Sequence, residues 1–372
     1  MLKTFKGLGV RSDLIQGLEA LGIREPTPIQ REALPFLIQN GGDFIAQAQT
    51  GTGKTAAFGL PLLMQVDPTL GSIQAVVVAP TRELAKQIGK QLFRFTKHCA
   101  QKIFVEVLTG GDKMEAQVAA LQRPTHIVVV TPGRFLDLLG QKALSLEAVK
   151  LLVLDEADEM LTLGFKAEVS LICSRTQGRR ATWLFSATIP DGVQRLITDY
   201  MAPTAHVLKV DQRHVVNRDI EHRFIVSAVK DKTQKIVVFL RRQGTEKGVV
   251  FCRTKIGAVA LADELAAEGF PVGVLQGDLM QLDRDKVLRS FRKGRFQFLI
   301  ATDVAARGID VEGVAFVIHH QLPGQIENYT HRSGRTGRAG RRGMSIAMIG
   351  QREKADIVQL EKRLGLKFTE MR

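Results

Sequence analysis

Residues 48–55 read AQTGTGKT. Glycines at positions 51 and 53 let a backbone curl so that its N–H groups face inward, toward an anion. Gln49, Thr50, Gly51, Thr52 and Gly53 are therefore a candidate phosphate cradle. Lys54 adds a point charge suited to β and γ phosphates, and Thr55 a hydroxyl suited to Mg2+. An apolar stretch, DFIAQA, precedes the loop, and an alanine-rich helical pattern follows it, which is the context a P-loop requires. The positive end of that helix would aim at the anion. A mere tight turn explains the glycines but not Lys-Thr at this spacing. One departure is Ala48, where such loops usually begin with glycine.

A second chemical cluster is KLLVLDEAD, an apolar run ending in Asp155. There a carboxylate can hold Mg2+, usually through water, and Glu156 can accept a proton from an attacking water. Asp-Glu after a strand is often no more than a helix cap. Downstream of a P-loop, the pair reads as the other half of a nucleotide-hydrolysing site.

The elements that must position these groups follow one grammar. In the first half the runs DFIAQA, QAVVVAP, KIFVEVLTG, HIVVVTP, KLLVLDE and TWLFSAT have strand length and are apolar on both faces. Such runs suit a parallel sheet covered by helices, with ligand-facing loops at the strand ends. The second half repeats the pattern in HRFIVSAV, GVVFCRT, PVGVLQG, QFLIATD, AFVIHHQ and MSIAMIG. KIGAVALADELAAEG and QLDRDKVLRSFRKG read as helices stopped by glycine. The expectation is an α/β protein with one architecture used twice. The domains span 1–210 and 220–372, and the polar stretch 211–219 is the linker.

Composition narrows the function classes. The 372 residues carry a net charge of +14, with 29 Lys+Arg against 19 Asp+Glu after residue 210 and 23 against 19 before it. A basic excess concentrated in one half points to a polyanion partner. Cys99, Cys173 and Cys252 form no CxxC, which argues against a zinc site or disulfide framework and fits a reducing cytoplasm. The opening MLKTFKGLGV has no secretory pattern, and no apolar stretch is long enough to span a membrane.

Asp155–Asp158 spell DEAD, and with AQTGTGKT they resemble the DEAD-box ATP-dependent RNA helicases over almost the whole chain. The resemblance implies two RecA-like domains, ATP and Mg2+ as ligands, and RNA as a partner held by its backbone. GIREPTPIQ resembles the family's Q motif, although Ile23 stands where an aromatic is usual. It implies that Gln30 reads the adenine edge and that Phe5 stacks on the base. PTRELA (Pro80, Thr81, Arg82), the pair Gly110–Gly111, and TPGR (Thr131, Gly133, Arg134) match blocks that grip RNA phosphates, which carry no base code. Ser186 and Thr188 of SAT would bond Asp158 and link ATP state to domain contact.

In the second half, Thr254, Gly277, Gln281, Arg284 and Thr302 are the implied RNA-side residues, and Asp310 is implied at the ATP ribose. Gln276 stands where relatives more often have His, and no catalytic role is assigned to it. Within HRSGRTGR, Arg335 and Arg338 match the arginines that reach the γ-phosphate when the domains close. The resemblance thus implies RNA-stimulated hydrolysis that drives closure and local unwinding of short duplexes. The same motor could serve DNA, or act as an ATP-gated RNA clamp; RNA and unwinding rest on the motif resemblance. Protein partners or dimerisation through a C-terminal extension absent from this chain are a further expectation from relatives.

Overall fold

The computed structural model describes residues 4–39, 41–49, 51–176, 178–209, 219–306, 313–324, 326–337 and 342–371. The chain divides into two compact units, 1–210 and 211–372.

The first unit is built on β1 (Phe44–Gln47), β2 (Ala75–Val78), β3 (Val105–Leu108), β4 (Ile127–Val130), β5 (Leu151–Asp155), β6 (Ala181–Ser186) and β7 (His206–Lys209). They form one sheet in the order β3-β4-β2-β5-β6-β1-β7, parallel at every pairing. The sequences AVVV of β2 and IVVV of β4 are buried from end to end, as a strand covered on both faces must be. Alternate side chains serve opposite faces. Val77, Val129, Val153 and Trp183 enter one core, while Val76, Val128, Leu152 and Leu184 enter the other. Both faces are apolar, so register is held by the backbone pairing Val77↔Val129 and Val77↔Val153 and by the helices above and below.

The second unit comprises β8 (Ile220–Val226), β9 (Lys247–Cys252), β10 (Val272–Leu275), β11 (Phe298–Thr302), β12 (Val314–His319), β13 (Gly343–Ile349) and β14 (Phe368–Glu370). Their order is β10-β11-β9-β12-β13-β8-β14, again all parallel. Each strand occupies the place of its counterpart seven strands earlier, so the two units share one topology. The helices Lys255–Ala267 and Gln281–Arg292 are followed by Gly269 (φ +85°) and Gly294 (φ +71°), the left-handed position at which glycine ends a helix.

Of the four edge strands, β7 and β14 are absent from the sequence reading. HVLK exposes three of its four residues and FTE is mostly polar, so neither shows an apolar run. Residues 211–218 of the expected linker lie outside the described residues; the carbonyl of Asp219 already accepts the Gly343 N–H at 2.7 Å, beside β8. Among the described residues, no helix is long and apolar enough to cross a membrane.

Candidate nucleotide and nucleic-acid site

The sheet order sorts the candidate residues of the first unit into two groups. β5, β6 and β1 are neighbours, and their C-terminal ends carry the Asp-Glu-Ala-Asp turn, Ser-Ala-Thr and the phosphate loop. β3, β4 and β2 are also neighbours, and their ends carry Gly110–Gly111, TPGR and PTRELA. Residues far apart in sequence thus share one rim, at which ligand loops of an open α/β sheet collect.

The phosphate loop runs from β1 into the helix Lys54–Gln65. Gly51 and Gly53 take φ of +81° and +94°, left-handed values that an L side chain adopts only with strain. Thr52 Oγ1 donates to the Gln49 carbonyl at 2.8 Å, closing the turn. The ammonium of Lys54 is buried and makes no hydrogen bond; its nearest counter-charge is Asp155 Oδ1 at 3.7 Å. Thr55 follows it on the first helical turn and is half-buried. Ala48, in place of the usual glycine, is buried, and its N–H donates to the Ser186 carbonyl at 2.9 Å. Thr50 lies outside the described residues.

Gln30 touches this loop directly. Its Nε2 donates to the Gly53 carbonyl at 2.9 Å, and its Oε1 accepts the Thr27 N–H at 3.0 Å. A primary amide has two N–H donors and two acceptor lone pairs, so each end keeps one free for a base edge. Phe5 is 3% exposed and packs in the core cluster that also holds Leu8 and Val10, so its ring is not presented for stacking on a base as the resemblance implied; its apolar face is taken up by the core.

Asp155 is 2% exposed and ends β5. Burial pushes its carboxyl above the ordinary carboxylate range, while the nearby Lys54 ammonium pulls it back down. Its Oδ1 accepts the Glu156 N–H at 3.0 Å. Glu156 stands in the left-handed region at φ +53°, ψ +53°, a conformation that costs a non-glycine residue about 1 kcal/mol or more. Such outliers gather where function over-determines the backbone. Asp158 is joined to the end of β6 by separate routes: Thr188 N–H and Oγ1 donate to its Oδ2 at 2.9 and 2.8 Å, and its own N–H donates to Ser186 Oγ at 3.1 Å.

On the other half of the rim, Arg82 lies flat against Gly110–Gly111. A Cβ on Gly111 would overlap its guanidinium, and Gly111 itself has φ +79°. Arg82 Nη1 is buried without a hydrogen-bond partner, a donor in want of an anion. Pro80 is buried; Thr81 caps the helix Arg82–Phe95 by accepting the Leu84 N–H at 3.2 Å. Thr131 is buried, and beside Gly133 an added Cβ would meet open space. Arg134 is nearly buried, and its Nη1 and Nη2 each donate to the Asp112 carbonyl at 3.2 Å.

The second unit repeats the layout. Thr254, Gly277 and Thr302 follow or end β9, β10 and β11, which are neighbours. Thr254 caps its helix through the Gly257 N–H at 3.1 Å. Gln281 Nε2 donates to Asp285 Oδ1 at 3.0 Å, and Arg284 Nη2 to the Ala305 carbonyl at 2.7 Å. Arg335 Nε donates to the His331 carbonyl at 3.2 Å. Asp310 and Arg338 lie outside the described residues.

Two positioning residues are absent from the sequence reading. Arg332 is 2% exposed; its Nη2 donates to Asp303 Oδ2 at 2.7 Å and its Nη1 to the Gln321 carbonyl at 3.0 Å, with the guanidinium 5.3 Å from the Phe251 ring centroid. It pins the helix Ile326–Ser333 to the ends of β11 and β12. Gln117, buried beneath the β3 loop, is the other. The signal that could have found it is a glutamine amid the mostly apolar residues of a helical segment, MEAQVAAL.

Residues 27–196 match the family described as DEAD/DEAH box helicase, and residues 231–340 match the helicase conserved C-terminal domain. The DEAD-box ATP-dependent RNA helicase CshA of Bacillus cereus is 41% identical over 370 residues, covering all of this chain and 70% of the relative. The structure of Saccharomyces cerevisiae Dbp5 bound to RNA and ADP BeF3 superposes with a TM-score of 0.89 at 34% identity, covering 99% of this chain and 95% of that one. Mss116p bound to single-stranded RNA and AMP-PNP superposes with a TM-score of 0.84 at 27% identity, covering 99% of this chain and 80% of that one. Kinship of that extent, in sequence and in fold and over the whole chain, makes this protein a member of the DEAD-box helicase family.

Proposed function

We infer that the chain is an ATP-dependent RNA helicase, hydrolysing ATP at the β1–β5–β6 rim and taking RNA along the β3–β4–β2 rim. The observation that carries the ATP reading is the Lys54 ammonium, enclosed yet without a hydrogen-bond acceptor. A buried cation in that state is stabilised by an incoming polyanion, and in the turn beside it Gly51 and Gly53 take left-handed φ, with no space for a Cβ at Gly53. RNA enters through kinship: the Bacillus cereus relative is named an RNA helicase, and Dbp5 and Mss116p were solved with RNA. The orphan donor of Arg82 supports it.

In this reading Lys54 and the loop N–H groups hold the β and γ phosphates, Gln30 the base edge, and Asp310 the ribose. Glu156 takes the proton of the attacking water as its oxygen bonds to phosphorus and the ADP leaving group departs. Thr55 and Asp155 would hold Mg2+, which supplies charge neutralisation on the phosphates; a buried carboxylate lifted by desolvation and only partly matched by Lys54 fits a second cation. Among the described residues no cluster of three or more His, Cys, Asp or Glu is arranged for a metal, so such an ion depends on phosphate and water ligands as well. Arg335 and Arg338 stabilise charge on the transferring phosphoryl, an effect typically worth about 10³–10⁵ in rate.

Asp158, Ser186 and Thr188 relay the state of the ATP site. RNA and ATP raise each other's affinity, and hydrolysis resets the cycle. The work done on RNA is local separation of short duplexes, in the cytoplasm. Protein partners or a dimer formed through further chain belong to the same proposal. Lys54→Ala is expected to lower ATP turnover at least about a hundred-fold in steady-state assays with RNA present; near-normal turnover would remove the cradle.

A further inference from the structure

Helix Met114–Leu121 has one buried residue, and it is Gln117. A surface helix ordinarily turns apolar side chains to the core, and Val118 and Leu121 are available but only partly buried. A polar side chain holds a buried position when its hydrogen bonds are made, and both ends of this amide are engaged. Oε1 accepts from Arg134 Nη1 at 2.8 Å, and Nε2 donates to the Thr109 carbonyl at 2.9 Å. Arg134 also grips the Asp112 carbonyl, and Thr109 Oγ1 donates to Asp112 Oδ2 at 3.0 Å. Thr109 and Asp112 bracket Gly110–Gly111, against which Arg82 lies.

We propose that Gln117 is a positioning residue for RNA, tying the glycine turn after β3 to Arg134 after β4 so that both present their donors in one fixed geometry. It touches no RNA itself. The proposal rests on the reading that these loops take the RNA backbone. An apolar residue of equal volume would pack as well, but would leave the Thr109 carbonyl and an Arg134 N–H buried and unpartnered, and the turn free to shift.

Gln117→Met keeps the volume and removes both bonds. The test is the concentration of single-stranded RNA that half-saturates ATPase stimulation, together with the KM for ATP and kcat at saturating RNA. Half-saturating RNA is expected to rise roughly ten-fold, with kcat and KM for ATP staying within about two-fold. A lowered melting temperature with unshifted half-saturation would mean a purely structural role and would overturn the proposal. Gln117→Asn, which withdraws the amide by one methylene, is read by the same constants should the Met variant not fold. Failure of both variants to fold would also overturn it. An unmutated protein indifferent to RNA would remove the RNA reading itself, whereas an RNA-responsive protein with an unshifted variant removes Gln117 alone.

Discussion

Gly53 meets two demands at once. Its φ of +94° is strained for any L side chain, and a Cβ there would strike the Gln30 amide and come within 2.9 Å of Thr27 Oγ1. Gly53→Ala should therefore spoil the phosphate turn and the Gln30 contact together. We expect the KM for ATP to rise roughly ten-fold or more, since about 1–2 kcal/mol of left-handed strain adds to the clash; an unchanged KM in steady-state kinetics would show that the turn relaxes freely. Ala48 is the contrast, since its methyl is buried without a left-handed backbone. The residues proposed to do chemistry could be singled out in the sequence because phosphate constrains residue types and spacing. Residues that hold them could not. Arg332 looks like any solvated arginine until burial is known, and the apolar neighbours of Gln117 are a weak signal on their own; burial is a tertiary property.

Strands with an apolar run announce themselves, which is why the central strands and the edges β3 and β10 could be read while the short, mostly exposed β7 and β14 could not. The buried polar set beneath the helix Ile326–Ser333 was equally hidden. His222 Nδ1 shares a 2.7 Å hydrogen bond with Tyr329 OH; Tyr329 and Ser333 each bond Ser345, and His319 Nε2 lies 3.0 Å from Ser345 Oγ. These side chains join β8, β12, β13 and the helix Ile326–Ser333. Burial lowers the His222 imidazole to about 4, and pushes His319 well down too, with Arg332 adding to the effect. Both are neutral in the fold. The unfolded chain takes up protons from about pH 6.5 downward, so stability is intact above that value and is lost as pH falls toward 4. For His222 alone the loss is about 3 kcal/mol. Melting temperature should drop over this window, and His222→Phe should flatten the drop; a pH-independent melt would contradict buried neutral imidazoles.

Over the whole molecule one sheet topology is used twice, yet the surplus of basic over acidic residues is +4 up to residue 210 and +10 beyond it. Only the first copy has the lysine loop, and only the second has the HRSGRTGR run. That difference between the copies was visible in the sequence through motif order; the sorting of the phosphate-loop, DEAD and SAT ends from the PTRELA, Gly-Gly and TPGR ends onto opposite halves of a rim was not, because strand order is not sequence order. Contacts led by phosphate should make RNA affinity fall steeply with salt and vary little with base sequence, whereas a flat salt response in anisotropy titrations would exclude them. The most direct test of the account is steady-state ATP hydrolysis by the whole chain, with single-stranded RNA, with DNA of the same sequence, and with neither. RNA is expected to accelerate turnover at least about ten-fold and DNA to do far less, because only RNA offers 2′-hydroxyls. Equal rates in the three conditions would contradict an ATP site governed by RNA.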